Sequence, residues 1–310
     1  MDEFIVSAWH FDQAGQRTPI APASNHQIAP GEWLHLQRGG EAVRPWLERQ
    51  GLPLAIIDFL LAEDTRPRCE VLSADTLLLN VRGVNLNQGA QPDDMLSVRI
   101  LWHRGALLSV RKLPSQSVRL ILDQLDAGSG PESLGDVVIA IVNGLNAHID
   151  NYLSPVELLI EEDAPELPQL AAEQQRRLLK LKRYLKPQSA VLDSLERSQL
   201  SLFSEHQLRL KNASDNAKRI FETVEFILEQ LHSTLLEQQQ AQAEKMNRNT
   251  YLLSIVAGVF VPAGFLTGLL GVNIAGIPGT DTPWAFAAFC GGLTVAVAIE
   301  VWVLKKLQFI

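Results

Sequence analysis

Cysteine is almost missing from this chain: Cys69 and Cys290 are the only two in 310 residues, with most of the sequence between them. That excludes a disulfide framework and a cysteine-based zinc cassette. The seven histidines (His10, His26, His35, His103, His148, His206 and His232) show no HxxxH or HExxH spacing. GxGxxG, the P-loop and the GxSxG elbow are absent too. Nucleophile, base and metal ligands are therefore not assembled by any motif, and neither an enzyme nor a resident cofactor is expected. Positive charge is also short, the formal net charge being −8, which argues against nucleic acid as a partner. The opening residues, MDEFIVSAWH, lack a long apolar run, so a signal peptide is not expected there.

Charge is absent where it matters most. Residues 251–270 (YLLSIVAGVFVPAGFLTGLL) hold no charged side chain, and about 20 such residues suffice for a helix to cross a hydrocarbon core. The run stops at Gly271-Val272-Asn273, a Gly/Pro-rich tract follows, and a second apolar run covers 284–304 with Glu300 its only acid. Two spans at the C-terminal end make an integral membrane protein. Lys245 and Arg248 precede the first span, Lys305 and Lys306 follow the second, and the loop between has no Lys or Arg. The positive-inside rule then puts both ends in the cytoplasm, a reducing compartment. From Asn247 onward there are three cations against two acids, so the remainder carries −9, a surface that attracts cations.

A charge-free span ending Gly-Val-Asn, followed by one more span, resembles the CorA family of metal-ion transporters, and GVNIAGIPG resembles its ZntB branch. Thr65-Arg66-Pro67-Arg68 also resembles the family's cytoplasmic domain. The resemblance implies an α/β cytoplasmic domain, long stalk helices and a C-terminal transmembrane hairpin. It further implies a homo-oligomer, a pentamer, in the inner membrane among lipid, passing divalent cations and zinc first, with uptake assisted by a proton gradient. Gly271, Val272 and Asn273 would form the pore mouth, Asn273 touching the metal through its hydration shell. Gly and Asn are equally the preferred residues of a helix C-cap. Gly271 is expected to supply an unusual backbone conformation there. Asn247, Thr250, Leu253, Ala257, Val261 and Gly264 recur every three or four residues and share one helix face, which by resemblance lines the pore. Small residues (Ala257, Gly258, Ala263, Gly264, Gly268) permit close helix approach or leave a lumen. Pro262 frees the Gly258 carbonyl. Asp281 and Glu300 are open to cation attraction or a proton role, against a solvated loop acid and a partner of Lys305. A magnesium or cobalt channel of the same fold, or a membrane-anchored metal sensor, are the rival readings.

The rest of the chain divides at about 132 and 249, giving an α/β domain over 1–132, a helical hairpin and stalk over 133–249 and the transmembrane part over 250–310. Residues 33–36, 69–72, 76–81, 97–102 and 106–110 read as strands, and 42–49, 53–62 and 115–125 as helices. A second Gly-Val-Asn, Gly83 to Asn85, lies outside any apolar run. Long helices are expected over 133–161, with Pro155 a kink, and over 167–200, with Pro187 a kink or an end. Glu161, Glu162 and Asp163 form either a cation-collecting or a merely solvated turn. A third helix starts at Ser204 as N-cap and continues into the first span, roughly 100 Å at 1.5 Å per residue. Leu210, Ala213, Ala217, Ile220, Val224, Ile227 and Leu231 give it a heptad seam, and oligomerisation is the simplest source of neighbours for so long a helix.

Overall fold

The computed structural model describes residues 4–21, 25–63, 65–162, 164–271, 279 and 282–306. It separates into two compact units, Met1–Leu235 and Leu236–Ile310. Each is taken by itself.

The first unit is built on a seven-stranded sheet. Its strands are β1 (Ile5–Phe11), β2 (Arg17–Pro19), β3 (Glu32–Gln37), β4 (Arg68–Ser73), β5 (Thr76–Gly83), β6 (Leu96–His103) and β7 (Ala106–Arg111). Their order is β2-β1-β3-β7-β6-β5-β4; β3 and β7 run parallel and all other neighbours antiparallel. One face, with Leu34, Leu36, Leu101 and Leu108, packs on α1 (Val43–Arg49) and α2 (Leu54–Leu61) through Trp46, Ile57 and Leu60. The other, with Leu77, Leu79, Val98 and Ile100, packs on α3 (Gln116–Asp126) and the first turns of α4 (Leu134–Glu161). Apolar cover on both faces explains why every residue of β5 is buried, as strands without a solvated face require. The five strands and three helices read from periodicity are all present; β1 and β2 are additional.

Two polar residues of β5 are buried to a purpose. Asn80 donates to Thr65 Oγ1 (3.0 Å) and to the Arg66 carbonyl (2.8 Å). Arg82 donates to the Thr65 carbonyl from Nε (2.9 Å) and to the Met95 carbonyl from Nη1 (3.1 Å). Arg99, from β6, reaches the Leu60 carbonyl (3.0 Å) and Thr65 Oγ1 (3.2 Å). The turn leading into β4 is thus held by backbone acceptors, the partners a buried guanidinium needs in place of water. Burial, then the neighbouring Arg38 and Arg82 charges, push the Arg99 pKa down to about 10.

The helical part of this unit comprises α4, α5 (Leu167–Arg197), a short 3₁₀ turn at Ser201–Phe203, and α6 (Gln207–Leu270) as far as Leu235. Ser133 caps α4 by accepting from the Asp136 N–H (3.1 Å), the N-cap bond that satisfies one free donor of the first turn. Pro155 and Pro187 both lie inside their helices, so neither ends one. Ser204 is not an N-cap: it closes the 3₁₀ turn, and α6 starts three residues later at Gln207. Ion pairs give the packing directions. Asp136–Arg209 and Asp150–Arg219 run in step along α4 and α6, whereas Asp193–Lys218 and Glu225–Lys182 run in opposite order along α5 and α6. Hence α5 is antiparallel to both.

All seven seam residues of α6, Leu210 to Leu231, are buried. Their cover comes from the same chain: Leu210, Ala213 and Ala217 share a cluster with Val142 and Leu145 of α4 and Leu192 and Leu195 of α5, and Ile220 to Leu231 share one with Ile149, Leu153 and Val156 of α4 and Leu178, Leu181 and Leu185 of α5. The seam is therefore an intrachain core, so the oligomerisation expected to supply neighbours for so long a helix is not what covers this stretch. A three-helix packing needs the same stripe as a coiled coil, and period alone does not separate them.

In the second unit α6 continues to Leu270, and α7 runs over Ala285–Lys306. Both helices are long and apolar enough to cross a membrane, with mean hydropathy of 2.1 and 2.0 in their most apolar windows. Neither window has a buried residue, the pattern of helices whose apolar surface is met by something other than this chain.

Candidate permeation pathway

Within the second unit the sheltered residues mark one side of each helix. On α6 they are Ile255, Val259, Ala263 and Leu266; on α7 they include Phe289, Leu293, Ala296 and Glu300. At about 100° per residue, the α6 stripe lies opposite the face of Leu253, Ala257, Val261 and Gly264. Those four, with Asn247 and Thr250, are all exposed, Leu253 by 69% and Val261 by 66%. The six residues expected on one face are thus brought together, on the side of α6 turned away from its sheltered stripe. A Cβ added at Gly258, Gly264 or Gly268 would meet nothing within 4 Å, so these glycines leave free surface rather than accommodating this chain's own helices.

The polar groups of the span serve the backbone. Ser254 donates to the Thr250 carbonyl (2.8 Å), and Thr267 donates to the carbonyls of Ala263 (3.0 Å) and Gly264 (3.1 Å). Hydroxyls returned to the helix one turn back are the usual arrangement where water is scarce. Pro262 sits within α6 without ending it. No acid, base or cation lies on this face between Tyr251 and Leu270, so an ion passing along it would keep much of its own hydration.

Gly271 ends the helix, its N–H reaching the carbonyls of Thr267 (3.0 Å) and Gly268 (3.2 Å). Its φ is not in the left-handed region. A Cβ there would lie 3.1 Å from the Thr267 carbonyl oxygen, a tight contact that favours the absence of a side chain. Val272, Asn273 and Asp281 lie outside the described residues, as does Asp163, while Glu161 and Glu162 are exposed at the end of α4.

Glu300 is half-buried, and its Oε2 is enclosed without a hydrogen-bond partner among the described residues. Among those residues no ion pair joins it to Lys305. The pairing expected from sequence fails on helix geometry, since residues five apart do not share a face. The neighbouring Lys306 instead sets its ammonium 5.1 Å from the Trp302 ring centroid, a cation–π contact near a span end.

Among the described residues no three of His, Cys, Asp and Glu are grouped to hold a metal. Several histidines have packing partners instead. His35 is fully buried against Ser109 Oγ (2.8 Å), and His26 meets Glu32 (2.9 Å). His206 lies 2.8 Å from Ser133 Oγ and 3.4 Å from Asp136, tying the start of α6 to the cap of α4. The serine, histidine and aspartate of that cluster came from separate stretches, and no motif spacing signalled them. The Ser133 hydroxyl is already engaged as a helix cap, so the cluster is structural.

A layered α/β unit, a three-helix core, and one long helix entering a two-helix apolar hairpin define a membrane transporter of the two-span class rather than an enzyme. The family model for the CorA-like Mg2+ transporter protein matches residues 31–306, and the chain belongs to that family. It is 38% identical over 312 residues to the zinc transport protein ZntB of Vibrio parahaemolyticus, covering 99% of this chain and 97% of that one. It is 37% identical over 290 residues to the divalent cation transporter CmaX of Pseudomonas aeruginosa, covering 90% and 87%. The solved structure of full-length CmaX superposes with a TM-score of 0.82 at 31% identity, over 99% of both chains.

Proposed function

We propose that the chain is one subunit of a homo-oligomeric inner-membrane transporter that takes up divalent metal, zinc before magnesium. The observation that carries this is the charge-free face of Leu253, Ala257, Val261 and Gly264. It is exposed along three turns of a span and turned away from the sheltered stripe of the same helix. Copies of α6 arranged about an axis, five of them by the family resemblance, would enclose that face as a lumen. The names of the relatives ZntB and CmaX support the class of cargo. Lys245, Arg248, Lys305 and Lys306 support cytoplasmic placement of both ends.

Asn273 is the mouth. A neutral amide accepts from a metal's hydration water without stripping it, and several around one axis act together. Each lost hydrogen bond of this kind costs about 1 kcal/mol, and the loss repeats in every subunit. Asn273→Ala is expected to cut zinc flux at least about tenfold, with folding and assembly intact. Unchanged flux in a folded variant would remove Asn273 from the pathway. The same proteoliposome measurement, made with and without an inward proton gradient, tests proton assistance: flux indifferent to the gradient identifies a channel. Magnesium flux without zinc flux overturns the zinc assignment.

A further inference from the structure

On the α1–α2 side of the sheet, far in sequence from the spans, lies a cavity of about 240 Å³. Its apolar lining includes Leu52, Leu101, Ala106 and Leu108, and its polar lining includes His103 and Arg104. The volume is below the roughly 300–1,000 Å³ of drug-sized sites, so it suits a small molecule. Among the described residues one formal charge, that of Arg104, lines it. Burial first, and then the Arg104 charge, lower the His103 pKa from its ordinary value against the opposing Asp75, so the imidazole is neutral at pH 7. Among the described residues no carboxylate lines the cavity and no ion pair engages Arg104.

Arg104 occupies a position where arginine is out of place. The β6–β7 connection is a two-residue turn, His103 pairing with Ala106, and Arg104 and Gly105 have φ of 50° and 80°. Positive φ at both central residues is the type I′ turn, for which Asn-Gly is preferred and a long L side chain is not. Gly105 is held to its identity by Pro30, whose Cβ would lie 3.3 Å from an added Cβ. Nothing comparable requires Arg104. Its N–H donates to the Asp75 carbonyl (3.0 Å), a bond any residue but proline makes. The fold therefore carries an unfavourable side chain at the rim of an apolar cavity, against a local preference. Sites where such preference is set aside tend to be functional.

We propose that this cavity binds a small amphipathic monoanion, its apolar body against Leu52, Leu101 and Leu108 and its carboxylate on the Arg104 guanidinium. A planar guanidinium matches a carboxylate through paired N–H donors.

The test uses the full chain in detergent with 4-fluorobenzoate as probe, followed by ¹⁹F NMR and calorimetry, and 4-fluorobenzamide as its uncharged counterpart. Saturable binding of the benzoate is expected, at least tenfold tighter than the amide. Arg104→Asn should weaken the benzoate at least tenfold while leaving the unfolding midpoint of the first unit equal or higher, because asparagine suits the turn better. Arg104→Lys should retain part of the affinity. A purely structural arginine gives the opposite signature, lost stability with unchanged binding. No saturable binding, equal binding of the amide, or full binding by a folded Arg104→Asn variant would each overturn the proposal.

Discussion

Ile227→Ala separates two meanings of the α6 seam. Ile227 is fully buried, in one cluster with Ile149, Leu153, Leu178 and Leu181. Truncation removes three carbons from this cluster, at about 0.8 kcal/mol for each buried CH₂. With a further contribution from the cavity left behind, the loss is about 3 kcal/mol, inside the range for such substitutions. For a unit of this size each kcal/mol moves the midpoint by about 2–4 °C, so thermal unfolding should shift down by roughly 6–12 °C. Tryptophan fluorescence reads it directly, since Trp9, Trp33, Trp46 and Trp102 are buried in the first unit while Trp284 and Trp302 are exposed in the second. Below the transition, light scattering should find the subunits still associated. The neighbouring Phe226, 47% exposed, serves as control, and its truncation should stay within about 0.5 kcal/mol. An unchanged midpoint for Ile227→Ala, accompanied by dissociation, would refute the reasoning, because it would mean that the seam is covered by another copy.

His35 gives a pH dependence of known sign. Burial, then the Arg111 charge, push its pKa down to about 3 against the opposing Ser109 hydrogen bond, so the native state stays unprotonated where the unfolded chain, near 6.5, gains a proton. Its contribution is therefore whole above pH 6.5 and is lost as pH falls towards 3, about 2 kcal/mol of it between pH 7.5 and 5. Urea unfolding at those two values should show that loss shrink in His35→Gln; an identical loss in both proteins would show that His35 is not the group responsible. Glu300→Gln keeps shape and removes the carboxyl's ability to carry a proton. It is expected to flatten the response of zinc flux to a proton gradient while leaving basal flux, and a retained response in proteoliposomes would exclude Glu300 from that role.

What the sequence disclosed depended on how sharply physics constrains each segment. Lipid imposes both a length and an absence of charge on a spanning helix, so the two helices long and apolar enough to span were legible in the sequence. Strands β3 to β7 were legible because apolar and β-forming residues dominate short runs between turns. β1, IVSAWHF, mixes serine and histidine into the run and gained its place by pairing with β3, a partner that local pattern does not reveal. The second Gly-Val-Asn illustrates the limit of a tripeptide. At 83–85 it closes β5, where an added Cβ on Gly83 would come within 2.5 Å of Leu145, and Val84 and Asn85 are buried. There the same three residues serve close packing of a strand on α4.

The intrachain cover of the α6 seam shows what a heptad period does and does not tell. A seven-residue period says that one stripe of a helix is buried, and it is silent on which chain covers it. Here α4 and α5 had already been identified as long helices in the preceding hundred residues, so a local cover was available before a second copy needed to be invoked. The span inverts that situation. Among the described residues one helix, α7, follows α6, and between Tyr251 and Leu270 the partly sheltered residues are Ile255, Val259, Ala263 and Leu266, all on one side. The opposite face carries no charge and has room above each glycine, so its cover must come from outside the chain, as lipid or as other copies about a lumen. Lipid alone would call for bulky apolar residues around the whole circumference. On the proposed reading, Gly258, Gly264 and Gly268, with Asn247 and Thr250 at the approach to the span, would meet neighbouring helices and hydrated ions. Assembly would then involve the stretch from Asn247 to Gly268, while the seam before it is already covered by α4 and α5.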